Sequence, residues 1–310
     1  MIHKKTVLIL GAGASVGYGF PTGPKLINKI VANCADMNGE SRRLMRLVGA
    51  DDGVVERFLP ALKATQLDSI DDFLTHRPAF REVGKLAIAV VLIPCENPVA
   101  LANPKPDDHW YRLLFNHMID KRGFSGSGLT IITLNYDRSL EQYLYSTVKE
   151  EFALTEQQTA EKLGSIPFIH FHGQLGLLPW RRRDVPEGSR VYRPDLDEHA
   201  LRAAASQIRI VSDFNQDRDV EFTYNVTSSL AEAEVIGFLG FGYNEVVMER
   251  FKIAELVAPK SFFGTTYKLP NGRRTQLNQS FGKIELGDDH QTVKMFIEHS
   301  NLLYQSRKQG

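Results

Sequence analysis

The sequence is poor in cysteine and carries no net charge. Its 310 residues include only two cysteines, Cys34 and Cys95, which cannot build a zinc site of four cysteines. We interpret both as small apolar side chains rather than as a disulfide, because two cysteines fit a reducing compartment. Lys and Arg together number 37, as do Asp and Glu. The chain therefore has no overall field that would attract nucleic acid or an anionic membrane.

Long hydrophobic runs are also missing. The longest, LAIAVVLIPC, ends at Pro94 and Cys95, well short of the ~18–20 apolar residues that cross a bilayer. The N-terminal run ends at Gly11 and is shorter than the roughly 7–15 apolar residues of a secretion signal. We therefore expect a cytoplasmic protein with no membrane partner.

The patterning that is present is typical of a large folded α/β protein. Apolar residues make up 43% of the chain and charged residues 24%, which is ordinary for a globular protein. Short apolar runs alternate with helical patterns, which predicts a Rossmann-like, mainly parallel sheet with helices on both faces. The runs are TVLIL (6–10), LTIITL (129–134), IPFIHF (166–171), VIGFLGF (235–241) and SFFGTTYKL (261–269).

We predict a single domain over residues 1–310 with two excursions from the sheet. Residues at about 36–125 have mostly helical apolar spacing and are predicted to form a helical insertion. The segment at about 175–230 lacks a clear buried strand and forms the second excursion. The turn signal at 270–272, Pro-Asn-Gly, is predicted to close a late hairpin.

In an open parallel sheet ligands bind beyond the carboxyl ends of the strands, so residues that follow the apolar runs are the first candidates. The glycines that follow the first run either let the backbone approach a pyrophosphate or form an ordinary tight turn. That segment consists of Gly11, Ala12, Gly13, Ala14 and Ser15.

Three further strand exits carry polar or glycine residues. Thr133, Asn135 and Asp137 leave the second run, where the amide and the carboxylate are either site residues or helix caps. His170 and His172 alternate with period two, which predicts that both lie on one face of a strand, and a glycine follows. The fourth exit, GFGYN (240–244), brings its backbone close to a ligand or to a helix.

Taken together, these exits resemble the sirtuin family, and more closely the sirtuin-like NAD hydrolase domains of bacterial anti-phage defence systems. GAGASVGYGFP (11–21) is similar to the family's glycine loop, and TLNYD (133–137) to its Thr-x-Asn-x-Asp strand exit. His172 with its glycine is similar to the catalytic His-Gly, LGFGYNE (239–245) to the late cofactor-facing turn, and LDSIDDFL (67–74) to a helix of the bacterial members.

The resemblance implies that NAD is the substrate and that no metal is required. It implies catalytic roles for Asn135 and His172, with Asp137 near the cationic centre, and a nicotinamide ribose lying between the first two. The pyrophosphate would lie over the glycine turn and the adenine end near residues 240–244. The implied cofactor-binding residues are Gly11, Ala12, Gly13, Ala14, Ser15, Gly19, Phe20, Pro21, Thr133, Gly240, Gly242, Tyr243 and Asn244.

The departures from the family pattern bear on the reaction. The four-cysteine zinc module of the protein deacylases is missing, and Thr22-Gly23-Pro24 stands where they carry Asp-Phe-Arg. We therefore expect hydrolysis of NAD rather than deacylation, in abortive-infection defence. The resemblance also implies a homo-oligomer, and a partner such as an ATPase or a nucleic-acid-binding defence protein.

Two other functions stay open. The same loop could bind NAD or a related nucleotide without turnover, as a regulatory or scaffold module. A metal-dependent hydrolase built on His170 and His172 is the third, although no further ligands stand at a familiar spacing. The arginines at 181–183, with Arg190 and Arg193, either contact nucleic acid or a partner or belong to a solvated loop.

Overall fold

The fold is an α/β arrangement around a parallel sheet. The computed structural model describes residues 2–105, 108–121, 123–181, 187–210, 220–243, 245–250 and 260–304. The strands within these ranges are β1 Thr6–Leu10, β2 Ile119–Asp120, β3 Gly123–Phe124, β4 Leu129–Thr133, β5 Phe168–His170, β6 Val235–Leu239, β7 Ser261–Gly264 and β8 Ile284–Leu286.

Helices connect most of the strands. In the described ranges they are α1 Gly23–Cys34, α2 Glu40–Leu47, α3 Asp52–Lys63, α4 Ile70–Thr75, α5 Arg81–Leu92, α6 Pro98–Ala102, α7 Trp110–His117, α8 Ser139–Glu151, α9 Glu156–Leu163, α10 Glu198–Gln207, α11 Val220–Glu232, α12 Glu245–Arg250, α13 Asn271–Phe281 and α14 Val293–His299. Short 3-10 segments cover Ala12–Tyr18, Pro78–Phe80 and Ile93–Cys95.

The main sheet has the strand order β5–β4–β1–β6–β7–β8, and every pairing in it is parallel. Thr6 stands beside both Leu129 and Val235, so β1 is a central strand with a neighbour on each side. Counted along these six strands, this is the 3-2-1-4-5-6 order of Rossmann sheets. The predicted Rossmann-like α/β class is confirmed.

Apolar side chains of β1 alternate between two cores, one on each face of the sheet. Leu8 and Leu10 belong to a larger core that includes residues of α1, α3 and α5. Val7 and Ile9 belong to a smaller core shared with α11 and α13. This period-two alternation covers both faces with helices, as a buried parallel sheet requires.

The stretch at 36–125 is helical, as its apolar spacing predicts. It contains α2 to α7, with the small antiparallel pair of β2 and β3 near its end. α5 is buried along almost its whole length and packs against α1 and α10. The excursion at about 175–230 contributes α10 and most of α11, with no named strand among its described residues.

The predicted late hairpin is wrong. Pro270 is the residue before α13, and the strands on either side of that helix, β7 and β8, run parallel. A proline with φ of −58° is preset for a helix start, and the following Asn271 and Gly272 occupy the first turn. The same residues therefore open a crossover helix instead of a two-strand turn.

Helices of the described ranges are too short or too polar to span a bilayer.

Candidate functional site

A cavity of about 220 Å³ lies where β1, β4, β5 and β6 end. It receives residues from all four strand exits that the sequence singles out, together with residues from α1, α4 and α5. Its lining consists of Gly11, Ala12, Ser15, Phe20, Pro21, Gly23, Leu26, Ser69, Ile70, Asp71, Asp72, Leu92, Leu134, Asn135, Tyr136, Asp137, His172, Phe241, Gly242 and Val247.

The glycine turn packs tightly against the exit of β6. The N–H of Gly13 donates to the carbonyl of Gly240 over 3.0 Å, and a Cβ on Gly13 would lie 2.8 Å from the Cα of Gly240. This close backbone packing alone explains why residue 13 is a glycine, with no need for a ligand. Gly11, Ala12 and Ser15 face the cavity, and their contact with a phosphate stays a prediction.

The second half of the loop reaches the same cavity. Gly19 has a φ of 94° and ends the 3-10 segment, with its N–H directed to the carbonyls of Ser15 and Val16. This left-handed turn sends Phe20 and Pro21 back into the cavity lining. α1 then begins behind them.

Asn135 joins the exits of β4 and β1. Its side-chain amide donates to the carbonyl of Gly11 and to the hydroxyl of Ser15, both over 3.0 Å. The helix-cap interpretation of Asn135 is wrong, because α8 begins four residues later. Thr133 is buried, and its hydroxyl accepts the N–H of Asn135 over 3.1 Å. With both amide hydrogens used, the Oδ1 of Asn135 is the atom left to accept from a ligand.

Asp137 is a buried carboxylate at the start of α8. It accepts the N–H of Ser139 over 3.1 Å and is also hydrogen-bonded to the Ser139 hydroxyl. Burial raises the pKa of Asp137, while hydrogen bonds from Ser139 and Ser15 act in the opposite direction. The helix-start interpretation therefore describes its contacts, and its role near a cationic centre stays a prediction.

The expectation that His170 and His172 share one face of a strand is wrong. β5 ends at His170, and the chain turns at Gly173, which has a φ of 66°. The Nε2 of His170 lies 2.9 Å from Glu141, and this histidine lines a separate small cavity. His172 lines the main cavity instead.

Asp71 is a site residue that the sequence analysis missed. Its Oδ1 accepts a 2.5 Å hydrogen bond from the hydroxyl of Tyr136 and lies 3.2 Å from the Nδ1 of His172. The side chain of Ser69 accepts the N–H of Asp71 and thereby caps α4. The sequence signal for Asp71 is the segment LDSIDDFL (67–74), whose resemblance to a family helix does not by itself place it at the cavity.

The residues that follow β6 lie partly in the cavity lining and partly in the core. Phe241 and Gly242 line the cavity, whereas Gly240 packs against the glycine turn with a φ of 58°. Tyr243 is 1% exposed, and its hydroxyl donates to the carbonyl of Thr265, so its ring is a core group. Asn244 lies outside the described residues.

Two arginines of the arginine-rich segment, Arg181 and Arg190, pair with buried carboxylates, whereas Arg193 is exposed. Arg190 is 5% exposed and, together with Arg138, binds the fully buried carboxylate of Glu96. Arg181 pairs with buried Glu141. Residues 182–186 lie outside the described residues.

The charge around the main cavity is acidic. Asp71, Asp72 and Asp137 line it, whereas its described lining contains no lysine or arginine. Such a cavity favours a cationic or hydrogen-bonding group over an anion. Among the residues that the structure covers, no three His, Cys, Asp or Glu side chains cluster in a way that could hold a metal ion.

Comparison with known proteins shows distant structural similarity to a solved structure. The sequence matches no protein-family model and no curated protein. The crystal structure of a Sir2 homolog–NAD complex aligns with a TM-score of 0.42 and 13% sequence identity, over 96% of this chain and 90% of that chain.

Proposed function

We propose that this protein is an NAD hydrolase that cleaves NAD to nicotinamide and ADP-ribose. The observation that carries the proposal is the meeting of Asn135 and His172 with the glycine turn around one cavity at the carboxyl edge of a Rossmann-like sheet. Dinucleotides bind at this edge, in the crevice where the strand order reverses. The motif resemblance supports the same substrate.

The acidic lining suits the nicotinamide end of the substrate. The ring of oxidised NAD is cationic and leaves as a neutral base, so an oxocarbenium-like charge develops on the ribose as the glycosidic bond breaks. The carboxylates of Asp71, Asp72 and Asp137 line the same cavity and would favour that charge electrostatically. The phosphates would extend toward Gly11, Ala12 and Ser15.

His172 acts as the general base in this scheme. The bond between the ribose C1′ and the nicotinamide nitrogen breaks, and its electron pair goes to the nicotinamide. Water then bonds to C1′ and gives a proton to the imidazole, which later releases it to solvent. The Oδ1 of Asn135 accepts a hydrogen bond from a ribose hydroxyl or from that water, which holds it in line. The products are nicotinamide, ADP-ribose and one proton.

Purified protein with NAD tests the proposal. We expect nicotinamide and ADP-ribose in equal amounts by chromatography, at a rate that EDTA does not change. Asn135→Ala and His172→Ala should each lower the rate by about 10²–10⁴-fold while the thermal midpoint stays within a few degrees. His290→Ala, which alters an exposed histidine far along the chain, is the matched control and should keep the full rate.

Three outcomes would contradict the proposal. Binding of NAD without turnover would favour a regulatory or scaffold module. Activity lost with EDTA and restored by zinc would favour a metal-dependent hydrolase. Variants that lose activity only in proportion to folded protein would make Asn135 and His172 structural residues.

We extend the proposal to NAD depletion in anti-phage defence, on the strength of the motif resemblance. Free NAD hydrolysis would harm the host, so we expect the activity to be held off until assembly or a partner releases it. Bacteria that express the chain should lose NAD and yield fewer phage after infection, whereas bacteria with the His172→Ala variant should not. A monomer that is fully active and harmless in cells would overturn this part.

A further inference from the structure

Asp71, Tyr136 and His172 form a buried chain of polar contacts at the wall of the cavity. The three side chains come from α4, the exit of β4 and the exit of β5, and their residues are 8%, 6% and 5% exposed. The Oδ1 of Asp71 receives the hydroxyl of Tyr136 at 2.5 Å and faces the Nδ1 of His172 at 3.2 Å. The same carboxylate oxygen thus accepts a hydrogen bond from Tyr136 and lies close to the imidazole of His172.

We propose that Asp71 is the positioning residue for His172: its carboxylate keeps the proton on Nδ1 and leaves Nε2 as the nitrogen that acts as the base in the cavity. This inference rests on the proposed NAD hydrolysis. It adds to that function by stating which nitrogen of His172 carries the proton and by giving α4, which holds Asp71, a role in orienting the base.

The contacts around the imidazole support this assignment. Among the described residues, the Nδ1 of His172 is buried and makes no hydrogen bond of ordinary geometry, and the Oδ1 of Asp71 lies 3.2 Å from it. The ring of Phe171 stands edge-on to the imidazole at 5.1 Å, and the ring of Tyr136 lies at 6.0 Å. These two contacts are between rings, so the carboxylate is the charged group beside the imidazole that can select the tautomer.

The carboxylate itself is held from two directions. Tyr136 donates to it, and Ser69 fixes the backbone N–H of Asp71 at the start of α4. These contacts set the position of Oδ1 before any ligand enters, as an orienting group beside a catalytic histidine requires. Asp72, the next residue, lines the same cavity and lies one helical position away from this contact.

Asp71→Asn is the direct test, because the amide keeps an oxygen for Tyr136 but no longer carries the charge. We expect kcat for NAD to fall between about 10- and 10⁴-fold, with KM changed less than about threefold. Asp71→Glu should restore part of kcat.

Asp68→Asn is the matched control. Asp68 is exposed, stands three residues earlier on the same segment and is not part of the cavity lining. The control should leave kcat and KM unchanged. An Asp71→Asn variant with the kinetics of this control would overturn the inference while leaving NAD hydrolysis established.

Long-range ¹H–¹⁵N spectra of the imidazole give a readout that does not depend on turnover. In the unliganded wild-type protein at pH 8 the His172 ring should be the Nδ1–H tautomer, and in Asp71→Asn the Nε2–H tautomer should gain population. A wild-type ring in the Nε2–H form overturns the inference even if the variant does not fold. Wild-type protein with the Nδ1–H tautomer and no NAD turnover would instead count against the proposed function alone.

Discussion

Glu96 provides the sharpest test of how the segments behind the site are held together. Its carboxylate accepts from the Nε and Nη2 of Arg138 over 2.9 and 2.6 Å and from the Nη1 of Arg190 over 2.5 Å. All three side chains are 3% exposed or less. Glu96→Gln keeps the shape of the side chain but leaves two guanidinium groups in the interior with no carboxylate between them.

The expected cost follows from that burial. Removing one partner of a buried ion pair costs about 3–5 kcal/mol, mainly because the remaining charge is left uncompensated. Glu96 serves two arginines, and we expect a loss of about 4 kcal/mol in the free energy of unfolding. This is a large part of the ~5–15 kcal/mol that stabilises a typical protein. The thermal midpoint should fall by roughly 8–16 °C.

Urea unfolding followed by circular dichroism measures this loss. The matched control is Glu198→Gln, which removes the charge of a carboxylate that pairs with Arg202 on the surface, where both side chains are at least 50% exposed. The control should lose less than ~1 kcal/mol. Equal urea midpoints for Glu96→Gln and the control would refute the buried network as a source of stability.

Two further predictions concern the glycine turn and a second buried acid. Gly13→Ala should lower the free energy of unfolding by about 1–3 kcal/mol, because its Cβ would meet the backbone of Gly240. Gly272→Ala is the control: a Cβ there would have nothing within 4 Å, so this variant should keep the wild-type urea midpoint or exceed it. A lower urea midpoint for Gly272→Ala than for Gly13→Ala would disprove the close packing. Burial alone would raise the pKa of Glu141, but Arg181 and a histidine outweigh it and lower the pKa from 4.5 to about 2. The ionised Glu141 therefore contributes fully to the free energy of unfolding above pH ~5, and this contribution is lost as the pH falls toward 2. Between pH 5 and 2 the urea midpoint should fall less steeply for Glu141→Gln than for the wild-type protein. Equal slopes for the two proteins would contradict the assignment.

Strands that carry an apolar run could be predicted from sequence, and a strand without one could not. β1, β4 and β6 each have five residues, mostly buried, and each is followed by a glycine or polar exit. β8 has three residues, of which Glu285 is exposed, so no apolar run marks it. Its place in the sheet is set by pairing with β7, which is a long-range contact without a local signature.

The same distinction applies to the site. Asn135 and His172 stand directly after strands, where topology gives a reason to look. Asp71 stands at the start of a short helix, where an acidic residue is already explained by the helix dipole. Nothing local indicates that α4 packs its first turn against His172, about a hundred positions later. The contacts of Glu96 with Arg138 and Arg190 escape prediction for the same reason.

The position of β1 between two strands that come later in the chain determines when the cavity can form during synthesis. Its neighbours are β4 and β6, so β1 waits for its second neighbour until roughly 230 further residues have been added, which takes about 10–45 s at the usual 5–20 residues/s. Until then the glycine turn lacks Gly240, its packing partner. A nascent or truncated chain that ends before β6 therefore contains His172 and Asn135 but not the assembled cavity. Any NAD consumption would begin only after β6 has left the ribosome.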